Sequence, residues 1–138
     1  MENYKYETVM LLDDSRIDNI LNKKMLEVEK IARNIIVHTN VNDALNALKT
    51  LVRNNVAEQE IPSLIFVDLK MPEKGGIEFI EEFIGLKSLF TKKIEIIILS
   101  SKLYTEEEQF HLKNVLPVFT YMVKPLDKKK LKEVLISL

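Results

Sequence analysis

The sequence predicts an α/β fold, a (βα)5 three-layer sandwich built on a five-stranded parallel sheet. Two observations carry that expectation. Five short apolar runs recur along the chain, and most are continuous rather than alternating, the pattern of strands buried on both faces. Between them lie segments whose apolar residues repeat at helical spacing, and parallel strands need such crossovers to be joined. A third observation is chemical: four of the five runs end in acidic, hydroxyl or lysine side chains.

The elements follow in order. Residues 8–12 form the first strand. Ile17, Ile20, Leu21, Met25 and Val28 lie on one stripe and predict a helix over about 16–31 with that stripe buried, capped by Asp14 or Ser15. Ile35, Ile36 and Val37 give the second strand, and Ala44, Leu45, Leu48, Leu51 and Val52 the next helix. Residues 54–63 carry no periodicity and read as a surface loop. The third strand is 64–67, followed by a helix with Ile77, Ile80, Phe83 and Ile84 on its apolar face. The fourth strand is 94–99. Thr105 and Glu108 form a capping box that predicts a fourth helix. The run at 118–123 is a less uniform fifth strand. Asp127 caps a last helix whose buried stripe is Leu131, Val134, Leu135 and Leu138, with Leu126 and Leu131 closing a hydrophobic staple.

Composition narrows the function. The chain has 138 residues, the size of one domain, and five βα units fill it, so a single domain over 1–138 with its core at about 7–138 and no output domain is expected. Lys and Arg total 20 against 21 Asp and Glu, a net charge of −1, without the basic excess of a nucleic-acid-binding domain. No cysteine is present, so disulfides, thiolate metal sites and cysteine nucleophiles are excluded. No apolar run is long enough to span a bilayer, and the polar start of the chain does not read as a signal peptide; a cytoplasmic protein is expected.

Ligands of open α/β sheets bind outside the carboxyl ends of the strands. There the topology gathers Asp13 and Asp14 after the first strand, Asp68 after the third, Ser100 and Ser101 after the fourth, and Lys124 with Pro125 after the fifth. Three crowded carboxylates repel one another unless a cation joins them. A ligand set of hard oxygens without imidazole or thiolate suits Mg2+, with Mn2+ an alternative. Such an ion completes its shell with phosphate oxygens, and Lys124 adds a fixed positive charge. The set is therefore suited to a phosphoryl group, with Asp as candidate nucleophile. His38 and His111 are lone histidines without ligand spacing or a nucleophile partner, and the lysines at 128–130 read as a solvated face.

Taken together, Asp13-Asp14, Asp68-Leu69-Lys70-Met71-Pro72 with Gly75-Gly76 behind it, Ser100-Ser101, and Tyr121 through Pro125 resemble the receiver domain of two-component response regulators. The resemblance implies a flavodoxin-like sheet of strand order 2-1-3-4-5. It implies that Asp68 is the phosphoacceptor. Asp14 would ligate Mg2+ directly, Asp13 mainly through water, and the Lys70 backbone carbonyl would be a further ligand. It makes Ser100 the hydroxyl that swings toward the phosphoryl group, Lys124 the contact to a phosphoryl oxygen, Tyr121 the aromatic switch, and Pro125 a residue after a cis bond. The implied partners are a sensor histidine kinase or phosphotransfer protein as donor and an output protein of unknown identity, with no nucleic acid and no membrane insertion. The implied activity is a switch that catalyses only its own phosphorylation and dephosphorylation. The alternative is a docking module of the same fold that makes no use of phosphate. A turnover phosphatase fits less well, because such enzymes present Asp-x-Asp after the first strand and carry a substrate-selecting cap.

Overall fold

The computed structural model describes residues 3–71, 74–100, 105–107, 110, 114 and 120–137. Five strands, β1 (Tyr6–Leu12), β2 (Ala32–His38), β3 (Leu64–Asp68), β4 (Glu95–Ser100) and β5 (Thr120–Val123), form one sheet of order β2-β1-β3-β4-β5. Every pairing is parallel. Four helices are present among the described residues: α1 (Arg16–Val28), α2 (Val41–Arg53), α3 (Gly76–Lys87) and α4 (Lys128–Ser137). The expected fold class and strand order are both observed. The helix expected from Thr105, with His111, lies outside the described residues apart from isolated positions.

The pleat divides the central strands between two cores. Met10, Leu12, Ile65, Val67, Ile96 and Ile98 join α2 and α3 residues on one side of the sheet. Val9, Leu11, Leu64, Phe66, Ile97 and Leu99 join Leu26 of α1 and Leu131 and Leu135 of α4 on the other. Burial of both faces explains why β1, β3 and β4 read as continuous apolar runs. β2 lies at the edge of the sheet; Ile35 and Ile36 are half-buried there and Val37 is exposed.

The α1 expectation is overturned. Its helix forms at the expected place, capped by the Ser15 hydroxyl, which accepts from the Asp18 N–H at 3.2 Å. The stripe faces the wrong way, however: Ile17, Ile20, Leu21 and Val28 are 56 to 70% exposed. The buried face carries Asn19, Asn22 and Leu26, with Met25 half-buried. The cause is local. The Asn19 side-chain amide donates to the Asp13 carbonyl at 2.7 Å, which fixes the rotation of the helix against the end of β1. A buried carboxamide that loses such a partner costs more than an exposed isoleucine.

Other departures are smaller. In α3, Phe79 rather than Ile84 is central: Phe79 is fully buried and stacks on Phe83 with ring centroids 6.0 Å apart, while Ile84 is exposed. The segment expected as a loop holds a 3-10 turn at Glu58–Glu60 and a buried Ile61. Thr8 Oγ1 donates to the Gln59 carbonyl at 2.6 Å, and Lys92 Nζ to the Ile61 carbonyl at 2.8 Å. At α4 the Asp127 carboxylate accepts from the Lys130 N–H at 2.8 Å, and Leu126 and Leu131 are buried together.

Two substitutions test these assignments. Phe79→Ala should lower unfolding free energy by about 3–5 kcal/mol in a denaturant titration, the usual cost of removing a core phenylalanine. Ile20→Gln should change it by less than about 0.5 kcal/mol, as expected for an exposed position; a loss of core size would restore the inward-facing stripe.

Candidate functional site

Three loops at the carboxyl edge of the sheet bring the charged residues together. β1 delivers Asp13, 3% exposed, and the exposed Asp14. β3 ends in Asp68, 7% exposed. The carboxylates of Asp13, Asp14 and Asp68 each place an oxygen within 4.8 Å of the others. Lys124, following β5, crosses the top of the sheet to reach them. Its backbone N–H donates to the Ser100 carbonyl at 2.7 Å, prolonging the β4–β5 ladder, and the peptide from Lys124 to Pro125 is cis, as expected.

The Lys124 ammonium lies 2.5 Å from Asp13 Oδ2, 2.8 Å from Asp18 Oδ2 and 3.9 Å from Asp68 Oδ2. Asp13 uses its other oxygen to accept from the Ser15 N–H at 2.9 Å. Burial opposes the charge on Lys124, but the hydrogen bonds to Asp13 and Asp18 outweigh it and raise the pKa above the ordinary lysine value. The Asp68 pKa is raised as well, which for a carboxyl group disfavours the charged form. Burial and the neighbouring Asp13 push its pKa up from 3.8 to about 6, against the pull of Lys124 and of the Lys70 N–H, which donates to Asp68 Oδ1 at 3.4 Å.

The start of α3 closes the site from behind. The Gly76 N–H donates to the Leu69 carbonyl at 3.2 Å, and a Cβ at Gly76 would overlap the backbone of Asp68 and Leu69. Only a residue without a side chain lets the helix approach the turn that carries Asp68. The Glu78 carboxylate accepts from the Gly75 N–H at 3.0 Å, so the loop is tied to the first turn of the helix.

The sequence-predicted residues are thus brought to one edge: Asp13, Asp14, Asp68 and Lys124 form one cluster. Ser100, 1% exposed, ends the strand beside Asp68. Tyr121 pairs with Ile98 in β5 and packs, half-buried, on the α2/α3 side of the sheet. Asp18 was not among the expected site residues. An acid in the first turn of a helix is ordinarily explained by the helix dipole, and nothing in its sequence spacing links it to a lysine 106 positions away.

The donor set fits a divalent cation. It is made of hard carboxylate oxygens, two of the three acids are buried, and the Asp68 carboxyl is held in a state that a cation would relieve.

Comparison with known proteins agrees with this geometry. The family model for the response regulator receiver domain matches residues 9–136. A two-component response regulator from Cytophaga hutchinsonii superposes with a TM-score of 0.80 at 28% identity, over 96% of each chain. The Vibrio cholerae chemotaxis protein CheY4 superposes with a TM-score of 0.68 at 20% identity, over 96% of this chain and 98% of that one. The receiver domain of the Arabidopsis thaliana histidine kinase CKI1, in complex with Mg2+ and BeF3−, superposes with a TM-score of 0.75 at 19% identity, over 95% and 88%. A search of curated proteins found no significant match. Fold, pocket and family model define the class, a signalling module of two-component systems. The chain belongs to the response regulator receiver domain family.

The raised Asp68 pKa fixes a pH dependence. Folded Asp68 binds its proton more tightly than the unfolded chain does, so metal-free stability should fall as pH rises from about 4 through about 6 and level off above. A divalent cation needs the ionised carboxylate. Mg2+ at 100 times its dissociation constant should therefore add about 2.7 kcal/mol of stability at pH 7.5 or above, and much less at pH 5. Equal Mg2+-dependent shifts in Tm at both pH values would contradict the assignment. Gly76→Ala should lower Tm and weaken the Mg2+ effect together, read in the same melts.

Proposed function

We propose that the chain is a cytoplasmic receiver that accepts a phosphoryl group on Asp68 from a phosphohistidine of a histidine kinase or phosphotransfer protein. The observation that carries this reading is the convergence of three carboxylates and one ammonium at a single strand edge. An Asp68 oxygen attacks phosphorus, the new P–O bond forms, and the P–N bond to the donor imidazole breaks with its electron pair left on nitrogen. Without a cation, burial and Asp13 raise the Asp68 pKa to about 6, and a bound cation would favour the ionised carboxylate that attacks. Release follows when water attacks the same phosphorus, regenerating the carboxylate and freeing inorganic phosphate.

Asp13, Asp14, Asp68 and the Lys70 carbonyl would hold Mg2+, or Mn2+ in its place, which when bound offsets charge on the transferring phosphoryl oxygens. Both Asp13 oxygens are already engaged, by the Ser15 N–H and by Lys124, which favours a water-mediated role for Asp13 and a direct one for Asp14. Lys124 supplies a further positive charge to a phosphoryl oxygen. Ser100, at the end of β4 beside Asp68, donates its hydroxyl to another. Tyr121 lies on the same sheet, paired to Ile98 two residues before Ser100, and its side chain follows the Ser100 movement. The partner that reads the switched surface is a protein; the near-neutral charge gives no footprint for nucleic acid.

The outward face of α1 fits the donor side of this reading. Ile17, Ile20 and Leu21 are exposed on the helix whose first turn borders the pocket. Contiguous exposed apolar residues on a soluble domain mark a contact surface, and a protein donor must bring its histidine to within bonding distance of Asp68.

Intact mass after incubation with acetyl phosphate and Mg2+ tests the function. The parent should gain one phosphoryl group and Asp68→Asn none; a labelled Asp68→Asn would move the acceptor to another residue, and a parent unlabelled with a competent donor would favour the docking-module alternative. Ile20→Glu should leave labelling by acetyl phosphate within about twofold, since the position is remote from the chemistry, yet slow transfer from the cognate phosphohistidine protein at least about tenfold, the scale of one lost interface anchor.

A further inference from the structure

We propose that Asp18 is a positioning residue for Lys124. It holds the ammonium in the unphosphorylated state and competes for it with a phosphoryl group on Asp68. The inference rests on the phosphoryl-acceptor reading of the site and deepens it.

Lys124 has three N–H donors. One donates to Asp18 at 2.8 Å, the ammonium forms a close ion pair with Asp13 at 2.5 Å, and Asp68 at 3.9 Å stands beyond hydrogen-bond reach. The lysine is therefore drawn toward β1 and α1 and away from the nucleophile it would serve. Asp18 is held in place independently of Lys124. Its backbone N–H is bound by the Ser15 hydroxyl, and the neighbouring Asn19 ties α1 to the Asp13 carbonyl. The backbone that carries the Asp18 carboxylate is thus fixed beside the ammonium.

Asp13 divides its charge between Lys124 and the cation site, so with a cation present Asp18 is the acid that holds Lys124 most firmly. To reach an oxygen on Asp68 the ammonium must leave that contact. The Asp18 side chain is 35% exposed against 11% for Lys124, so solvent screens the pair. The tether is weak enough to yield to a phosphoryl dianion, and it lowers the affinity for one.

The test uses the full chain with Mg2+ and beryllofluoride, followed by 19F NMR, together with the lifetime of the acetyl-phosphate-derived label by intact mass. Asp18→Asn keeps the shape of the side chain and the backbone cap. It should tighten beryllofluoride binding and lengthen the label's lifetime by about two- to fivefold, the range a partly exposed ion pair supplies. Asp18→Glu should return both toward the parent. In a Lys124→Ala background the Asp18→Asn substitution should no longer change beryllofluoride affinity, a result that a purely structural role for Asp18 would not produce. Unchanged or weaker binding in Asp18→Asn, or an equal change with and without Lys124, overturns the competition.

The tether itself is read separately, without metal or donor. Tm shifts of Asp18→Asn and Lys124→Ala should be non-additive in the double variant, and additive shifts overturn the contact. A parent that binds no beryllofluoride overturns the phosphoryl reading and the competition with it, while the stability cycle still decides whether Asp18 holds Lys124.

Discussion

One ammonium group keeps a cluster of acids together at the edge of this sheet. Asp13 and Asp68 are both buried at the strand ends, and without a counter-charge their repulsion would oppose folding. Lys124 reaches across the sheet from β5 to meet them, and its own burial is offset by the same acids. The arrangement is strained in one place: Asp68 lies farthest from the ammonium and keeps a raised proton affinity. A structural ion pair would be better satisfied. The residual repulsion at Asp68 is what a divalent cation held by this acidic cluster would relieve.

The scaffold around this cluster sets where its charged groups stand. Parallel strands fully buried on both faces fix where β1 and β3 end, and so fix the separation of their acids. The close approach of Gly76 sets the turn after Asp68 against α3. The Asn19 contact sets the rotation of α1, which presents Asp18 to the pocket and turns Ile17, Ile20, Leu21 and Val28 outward. One buried hydrogen bond therefore links the charge arrangement inside the pocket to the apolar surface beside it.

Legibility differed by element and for physical reasons. β1, β3 and β4 could be read because a strand buried on both faces has to be apolar throughout. The acids and Lys124 could be read because a parallel sheet delivers every strand end to one edge, so their convergence follows from topology alone. Amphipathic spacing failed on α1, where it identified the apolar stripe correctly but assigned it to the core. Periodicity reports that a helix has two faces, and a polar face can be the buried one when a side chain on it finds a partner, as the Asn19 side-chain N–H does at the Asp13 carbonyl. It also passed over Phe79, whose neighbours Ile77, Ile80 and Ile84 suggest a different face of α3.

The sequence by itself determined the fold class, the strand ends and the identity of the acids and the lysine that meet there, because these depend on local apolar patterning and on a topology with few alternatives. The tertiary structure alone decided which face of α1 is inward, that Asp18 shares the ammonium of Lys124, and that Asp68 is the carboxyl left with its proton affinity raised. Those outcomes depend on distances of a few ångströms between groups far apart in the chain, and Coulombic and hydrogen-bonding energies change steeply over that range.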